Sequence, residues 1–387
     1  MMFDHWPSVL LYLLVFVGSA TLVYFGNRKS TAKRLGIALT ALGLAIPILL
    51  AGLRHEVGRD YPAYARMIEN VQAGREMSHR AIEPLSTFII QFSASFGDSV
   101  MMFTLFSTIT VLFAYFGMKR MLPADARYIA SGFFLYLCIA FPITLNVVRS
   151  GAAIALVTFA LSYLVDAKAR YRLLKFIGWT GAAALFHMSA IICLPIGVFV
   201  YVVSRHGKIH ARAERMLLGA AIFVALAFPL FGGLIADVPV TLISNYARFL
   251  RHLGEHFSIP IANMIVLGML AFALIVAKNK ARQDSRVRIL YAIALYYIPL
   301  SLLVGWLTYY PSMSRLVFFL EPAIFVLLVY VVWEIKGRLF AMIPLQALAI
   351  ALVLTFSIAM SARNLVWAHA LPYNTIFSQE HGDARKD

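Results

Sequence analysis

Charge is scarce in this chain, and over long stretches it is missing. Only 13% of the 387 residues are Asp, Glu, Lys or Arg, against 61% hydrophobic residues. No charged residue stands between Leu35 and Leu53, between Ser99 and Met118, or between Ser150 and Val165. Runs of this length, with a mean hydropathy of +0.80, exclude a water-soluble globular fold, which could not hide so much apolar surface. Period-two alternation is absent as well, which excludes an outer-membrane barrel; backbone groups in lipid must then bond within helices. Cysteine is nearly absent. Cys138 and Cys193 each sit in an apolar run and read as packing residues, too few to indicate a redox compartment. There is no Walker loop, no G-x-G-x-x-G, no H-E-x-x-H and no second His at a metal-ligand spacing. The sequence therefore predicts no cofactor and no metal.

What is present is a series of apolar runs. Spans are expected at 8–25, 36–53, 99–117, 128–146, 148–165, 173–187, 188–203, 216–236, 260–277, 289–306, 316–335 and 339–362. The fold class is all-α: a polytopic integral membrane protein of about twelve transmembrane helices in one domain, 1–387. The opening segment "MMFDHWPS" has no Lys or Arg, and the basic cluster Arg28, Lys29, Lys33, Arg34 comes after the first run. That argues against a cleaved signal and sets loop 26–35 inside, with both chain ends outside. The stretch 84–97 is too short to span, and a crossing there would move "KRMLPADAR" outside. It is expected as a short re-entrant or interfacial helix on the outer face. For the same charge reason the run 173–203 should turn back near His187 as a hairpin. The main outer loops are then 54–98 and 237–259.

The net charge of +16 invites a nucleic-acid reading, but its distribution tracks the membrane. Most of the 34 Lys and Arg fall in the inside loops, and the only Lys on the outer side is Lys386. Arg presents a planar fork that makes two parallel hydrogen bonds to phosphate or carboxylate and stays charged. Outer bases that are nearly all Arg fit recognition of a phosphate, or pairing with the acids that concentrate on the same side. Charge is missing from span centres; Arg149, His187, Arg315 and Glu321 stand near outer ends. A secondary transporter more often carries polar groups at midplane, so this pattern weighs against transport.

Four stretches carry chemistry. "GLRHEVGRDYPAY" (52–64) gathers Arg54, Asp60, Tyr61 and Tyr64 where the second span reaches the outer surface. Gly58 permits a tight turn, and Pro62 stiffens the residues beside it. Tyr faces can stack on sugars, and Asp60 can take a proton; an ordinary interfacial aromatic belt would have the same composition. "LNVVRSGAAIAL" (145–156) puts Arg149 at the head of a small-residue helix, where it must face a polar cavity or snorkel. "AALFHMSA" (183–190) holds a lone His187, about 22 Å above the inner surface of a core about 30 Å thick, either a structural residue or the floor of a cavity. "YYPSMSRLVFFLEP" (309–322) places Tyr309, Tyr310 and Arg315 in an outer turn, and "LPYN" (371–374) lies on the same side.

Together these residues resemble the EpsG family of exopolysaccharide polymerases, similar in role to Wzy-type O-antigen polymerases. The pattern is R-x-x-V-G-x-D-Y-x-x-Y at Arg54, Val57, Gly58, Asp60, Tyr61 and Tyr64. It continues with Glu83 before Pro84, Arg149-Ser-Gly-Ala-Ala, "LFHMSA" around His187, Ser314-Arg315 and Pro372-Tyr373. The resemblance implies a polyprenyl-diphosphate-linked oligosaccharide as substrate, presented at the outer leaflet of the bacterial cytoplasmic (inner) membrane. A sugar hydroxyl of one unit would attack the anomeric carbon of the growing chain, and polyprenyl diphosphate would leave. Asp60, His187, Arg149 and Arg315 would be catalytic, with Asp60 slightly favoured as base. Arg54, Tyr61, Tyr64, Glu83, Tyr310 and Tyr373 would bind substrate. Membrane lipid, a chain-length regulator and export proteins would be the further partners, and nucleic acid would not be one.

Other readings fit some of these residues. A C-type glycosyltransferase that moves one sugar from a polyprenyl monophosphate could use Asp60. A membrane acyltransferase could use His187 as base. A flippase or exporter of the same lipid-linked glycan would move it without making bonds.

Overall fold

A computed structural model describes residues 5–75, 83–97, 99–166, 168–205, 219, 261–306, 317–336, 338–339 and 343–378. Its helices are α1 (Trp6–Gly26), α2 (Lys33–Gly52), α3 (Tyr61–Gln72), α4 (Pro84–Ala94), α5 (Ser99–Met121), α6 (Ala126–Ile139), α7 (Phe141–Asn146), α8 (Val148–Val165), α9 (Arg172–Ala184), α10 (Cys193–Arg205), α11 (Ile261–Gln283), α12 (Ser285–Trp306), α13 (Glu321–Glu334) and α14 (Leu345–Trp367). The described strands are β1 (Arg338–Leu339) and β2 (Ile343–Pro344), a short antiparallel pair before α14. Among the described residues the regular structure is otherwise helical.

Among the described residues five helices are long and apolar enough to cross a bilayer: α1, α2, α5, α8 and α14. A helix needs about 20 apolar residues to span. The expected run 128–146 is instead divided at Ala140 into α6 and α7, because Pro142 supplies no N–H to a continuous helix. The run 173–203 breaks where the turn was expected. α9 ends at Ala184, a 3₁₀ turn covers Met188–Ile192, and α10 comes next and packs against α9. The 316–335 run is helical from Glu321, and 339–362 becomes the short strand pair and then α14. Apart from residue 219, the span expected at 216–236 lies outside the described residues, as do the loop 237–259, Tyr310 and Arg315.

The helix at the centre is α8. Ser150, Gly151, Ala152, Ala153 and Ala155 are all buried, and small side chains let neighbouring backbones approach. Its most extensive partner is α5, where a Cβ on Gly117 would sit 2.9 Å from the Phe159 backbone nitrogen. Around this pair, α1 packs on α2 and α6, and α2 packs on α5. Leu10, Leu14 and Val17 of α1, Ile37 and Leu49 of α2, and Leu352 and Ile358 of α14 stay exposed, an apolar exterior suited to lipid.

The 11-residue α4 is too short to cross a bilayer. It packs on α3 and α5; Phe88 and Phe92 on it and Phe96 just beyond its end are exposed at a four-residue spacing, with ring centroids 6.1 and 5.0 Å apart.

Candidate functional site

The site begins with a proline. Pro84 opens α4 and forces the residue before it out of the helical region, so Glu83 is extended (φ −62°, ψ 146°). Its side chain does not cap its own helix. The start of α4 is fastened instead to the break after α9. Leu85 N donates to the Leu185 carbonyl at 3.0 Å, and Ser86 Oγ donates to the Phe186 carbonyl at 2.9 Å. This docking carries Glu83 to His187, which is itself extended (φ −158°, ψ 113°) between α9 and the 3₁₀ turn.

The Glu83 carboxylate then joins two of the expected site residues. Oε2 accepts from Arg149 Nη1 at 2.7 Å. Oε1 lies 3.0 Å from His187 Nδ1 and accepts the Met188 backbone N–H at 3.1 Å. Burial acts to raise the Glu83 pKa. Hydrogen bonds from His187 and from the backbone, together with the Arg149 charge, outweigh it and hold the group at about 2. A carboxylate that stays ionised can only accept, so a neutral His187 must carry its proton on Nδ1. Nε2 then has a lone pair, and it has no hydrogen-bond partner among the described residues. Arg149 has a second feature: its Nε is buried with no hydrogen-bond partner among the described residues. Tyr64 acts on Arg149 as a hydrogen-bond neighbour, and Glu83 and Asp60 act on it as charges.

Asp60 is brought to this cluster by the loop between α2 and α3. Gly58 has φ +105°, and a Cβ there would meet the Leu145 carbonyl at 2.8 Å. Only glycine lets the loop lie so close to the end of α7. Asn146 completes the contact: its Oδ1 accepts the Asp60 N–H at 2.9 Å. On the other side, Gly58 N and Arg59 N donate to the His369 and Ala368 carbonyls at 2.9 and 3.1 Å. Pro62 in the first turn then starts α3, whose buried face is Tyr61, Tyr64 and Ile68.

Three expected substrate contacts pack against the protein itself. Arg54 is 1% exposed; its guanidinium lies 4.1 Å from the Phe103 ring centroid and Nη1 donates to the Ala51 carbonyl. Tyr61 is 6% exposed and stacks on Phe103, with centroids 4.9 Å apart, so that ring face is closed to a sugar. The Tyr373 hydroxyl donates to the Leu50 carbonyl at 2.7 Å, and its ring meets Tyr12 edge-on at 5.5 Å. These residues fasten the C-terminal segment to the end of α2. Arg54 bridges Thr375, His55 N donates to the Asn374 carbonyl, and Ile376 N donates to the Leu53 carbonyl. The edge of Tyr61 does line an open cavity of about 520 Å³, beside His55, Arg66 and Glu69.

Two groups of residues escaped the sequence reading. Asn146 and Ser86 are short polar residues in apolar surroundings, and their partners lie 86 and 100 positions away. The other is Tyr297 and Arg363, the partners of the Glu321 that the sequence places near a span end: Glu321 is buried at the start of α13, the Tyr297 hydroxyl is 3.4 Å from Oε1, and Arg363 of α14 acts on it as a charge. A charged residue this rare within apolar helices is the signal that could have found the second group.

The fold and site together define a multi-pass α-helical membrane protein with a carboxylate, an imidazole and a guanidinium converging where α4, α8 and the break after α9 meet. The model of the EpsG family matches residues 37–375, nearly the whole chain, and the chain belongs to the EpsG family. EpsG is a family of Wzy-type polymerases, so membership places this protein in polysaccharide biosynthesis with a glycosyltransferase-like polymerising activity. Comparison with curated proteins gives no match, and comparison with solved structures gives none.

Proposed function

We propose that this protein joins oligosaccharide repeat units carried on polyprenyl diphosphate, at the outer leaflet of the bacterial cytoplasmic membrane. In this reading the chain crosses about twelve times with both ends outside, and α4 lies in the outer interface on its Phe stripe. The observation that carries the proposal is Glu83 holding Arg149 and His187 on its two carboxylate oxygens. The acceptor sugar hydroxyl attacks the anomeric carbon of the donor chain. Its proton passes to His187 Nε2, the new C–O bond forms as the bond to the diphosphate oxygen breaks, and polyprenyl diphosphate leaves. The donor is already activated by its diphosphate, so no nucleotide is consumed.

Each residue has a stated part. Glu83 fixes the His187 tautomer and stabilises the imidazolium that forms, the role a carboxylate plays behind a histidine base. The unpartnered Nε of Arg149 supports a donor awaiting a phosphate oxygen, where charge develops in the transition state. Asp60 lies near enough to act on Arg149 electrostatically, but it lacks an orienting partner like that of His187. The geometry therefore favours His187 over Asp60 as base. Arg315 and Tyr310 remain proposed partners at the same face, as do a chain-length regulator and export proteins.

The test is a glycan gel after deletion of the protein. Loss of the polymer ladder with the single-repeat product retained supports a polymerase. A ladder that persists, or a product that never reaches one full repeat, would overturn it. The latter result would favour the single-sugar glycosyltransferase.

A further inference from the structure

An open groove of about 630 Å³ runs between α1, α6, α13 and α14, away from the residues around Glu83. Its walls are positions 17–25 of α1, 127–135 of α6, 329–333 of α13 and 350–354 of α14. Two of these stretches lie toward the C-terminal ends of their helices and two toward the N-terminal ends. All four are therefore at the same end of the bundle, the end that carries the loops 26–35 and 119–127. At 1.5 Å per residue, nine residues of α1 give the groove a depth of about 12 Å, a little under one leaflet of hydrocarbon.

The floor is apolar: Ala20, Leu135, Val329 and Val353 line it. The mouth is aromatic and basic. Tyr24, Phe25 and Trp333 rim it, with Trp333 Nε1 held by Ser131 Oγ at 3.1 Å. Arg127 also lines the mouth, 5.2 Å from the Trp333 ring, and Arg28 stands 5.8 Å from the Tyr24 and Phe25 rings. Lys29 is close enough to act on Asp125 as a charge. Asp125 takes Arg127 in an ion pair at 2.9 Å, and neither Arg28 nor Lys29, both exposed, makes an ion pair among the described residues. Nearby Glu334 is matched by Lys280 at 3.2 Å, so it does not cancel them.

We infer that this groove is a binding site for an anionic phospholipid of the inner leaflet, one acyl chain in the groove and its phosphate against Arg28 and Lys29. An apolar slot open to lipid takes a chain. Aromatic rings mark the headgroup level, and basic residues at the cytoplasmic ends of spans attract anionic headgroups. The site is independent of the glycan chemistry; it depends only on this end of the bundle facing an anionic leaflet.

The test uses the full chain in vesicles and the fluorescence of Trp333, isolated by subtracting the signal of Trp333→Phe. Acyl-brominated phosphatidylglycerol is titrated against acyl-brominated phosphatidylcholine as quencher. Two exposed cations predict half-quenching at a mole fraction about twentyfold lower for phosphatidylglycerol. Arg28→Gln and Lys29→Gln, both at exposed positions, should each reduce that preference about fivefold. Thr21→Phe, also at an exposed position, should fill the groove and weaken quenching by both lipids. Equal quenching by the two lipids overturns the proposal, as does a preference unchanged in the Arg28→Gln/Lys29→Gln protein. Displacement of phosphatidylglycerol by a polyprenyl phosphate at a tenth of its mole fraction would give the groove to an isoprenoid and overturn it too.

Discussion

Glu83 holds Arg149 at 2.7 Å across 66 residues of chain, with the second carboxylate oxygen turned to His187. The pair engages Nη1, Tyr64 is a further hydrogen-bond neighbour, and the buried Nε has no partner among the described residues. The distinction between a snorkelling Arg and a phosphate-gripping Arg therefore becomes measurable.

Arg149→Lys should keep one charge beside Glu83 but lose the fork. Losing one such donor at a developing oxyanion costs about 3 kcal/mol, or roughly a hundredfold in polymerisation rate. Ladder and membrane abundance are measured together. A normal ladder from the Lys protein would return Arg149 to an interfacial role.

His187→Ala and Asp60→Asn separate the base from its neighbour. The His187 variant should lose about 100- to 10,000-fold in rate at normal abundance, the usual weight of a general base. Asp60→Asn should lose less, because the loop contact it makes with Asn146 runs through its backbone N–H. The reverse order of the two losses would make Asp60 the base.

Acid should weaken the contacts around Glu83 in a defined window. Its pKa falls from 4.5 in the free side chain to about 2 in the fold, so the ionised contacts stabilise fully above 4.5. That contribution fades as pH falls from about 4.5 to about 2 and is gone below it. Thermal unfolding of wild type and Glu83→Gln in vesicles should differ at pH 6 and converge toward pH 3. A constant difference across that range would show that the carboxylate charge is not what stabilises the contact.

Gly58→Ala meets two obstacles, φ of +105° and the Leu145 carbonyl 2.8 Å from the new Cβ. A strained backbone of this kind costs about 1–3 kcal/mol. Reduced thermal stability and a weakened ladder should appear together, since the same loop carries Asp60. An Ala protein of wild-type stability would mean that the loop shifts freely off α7.

Tyr373→Phe removes the hydrogen bond to the Leu50 carbonyl and keeps the ring contact with Tyr12. Stability should fall by about 1 kcal/mol, with the ladder intact at permissive temperature. A lost ladder at unchanged stability would restore Tyr373 as a substrate contact.

The family pattern is legible in the chain because it is local. R-x-x-V-G-x-D-Y-x-x-Y lies within a few turns of backbone, and the family match over residues 37–375 agrees with it. The apolar runs are legible for a different reason: lipid demands a long uncharged segment, and composition alone reveals one. The break in 128–146 is written in Pro142, but hydropathy does not register a missing N–H.

Side-chain roles behave differently. By type and position Arg54, Tyr61 and Glu83 look alike, polar groups near an outer surface. Tertiary structure separates them. Phe103 of α5 covers Arg54 and Tyr61, and the break after α9 turns Glu83 toward both Arg149 and His187. The amino-acid sequence determined which residues stand at the ends of the helices, through hydrophobic length and charge. Which of those residues are buried as fasteners, and which meet as a carboxylate–imidazole–guanidinium group, was decided by contacts between segments distant in the chain. Their partners are chosen by packing, which no local pattern encodes.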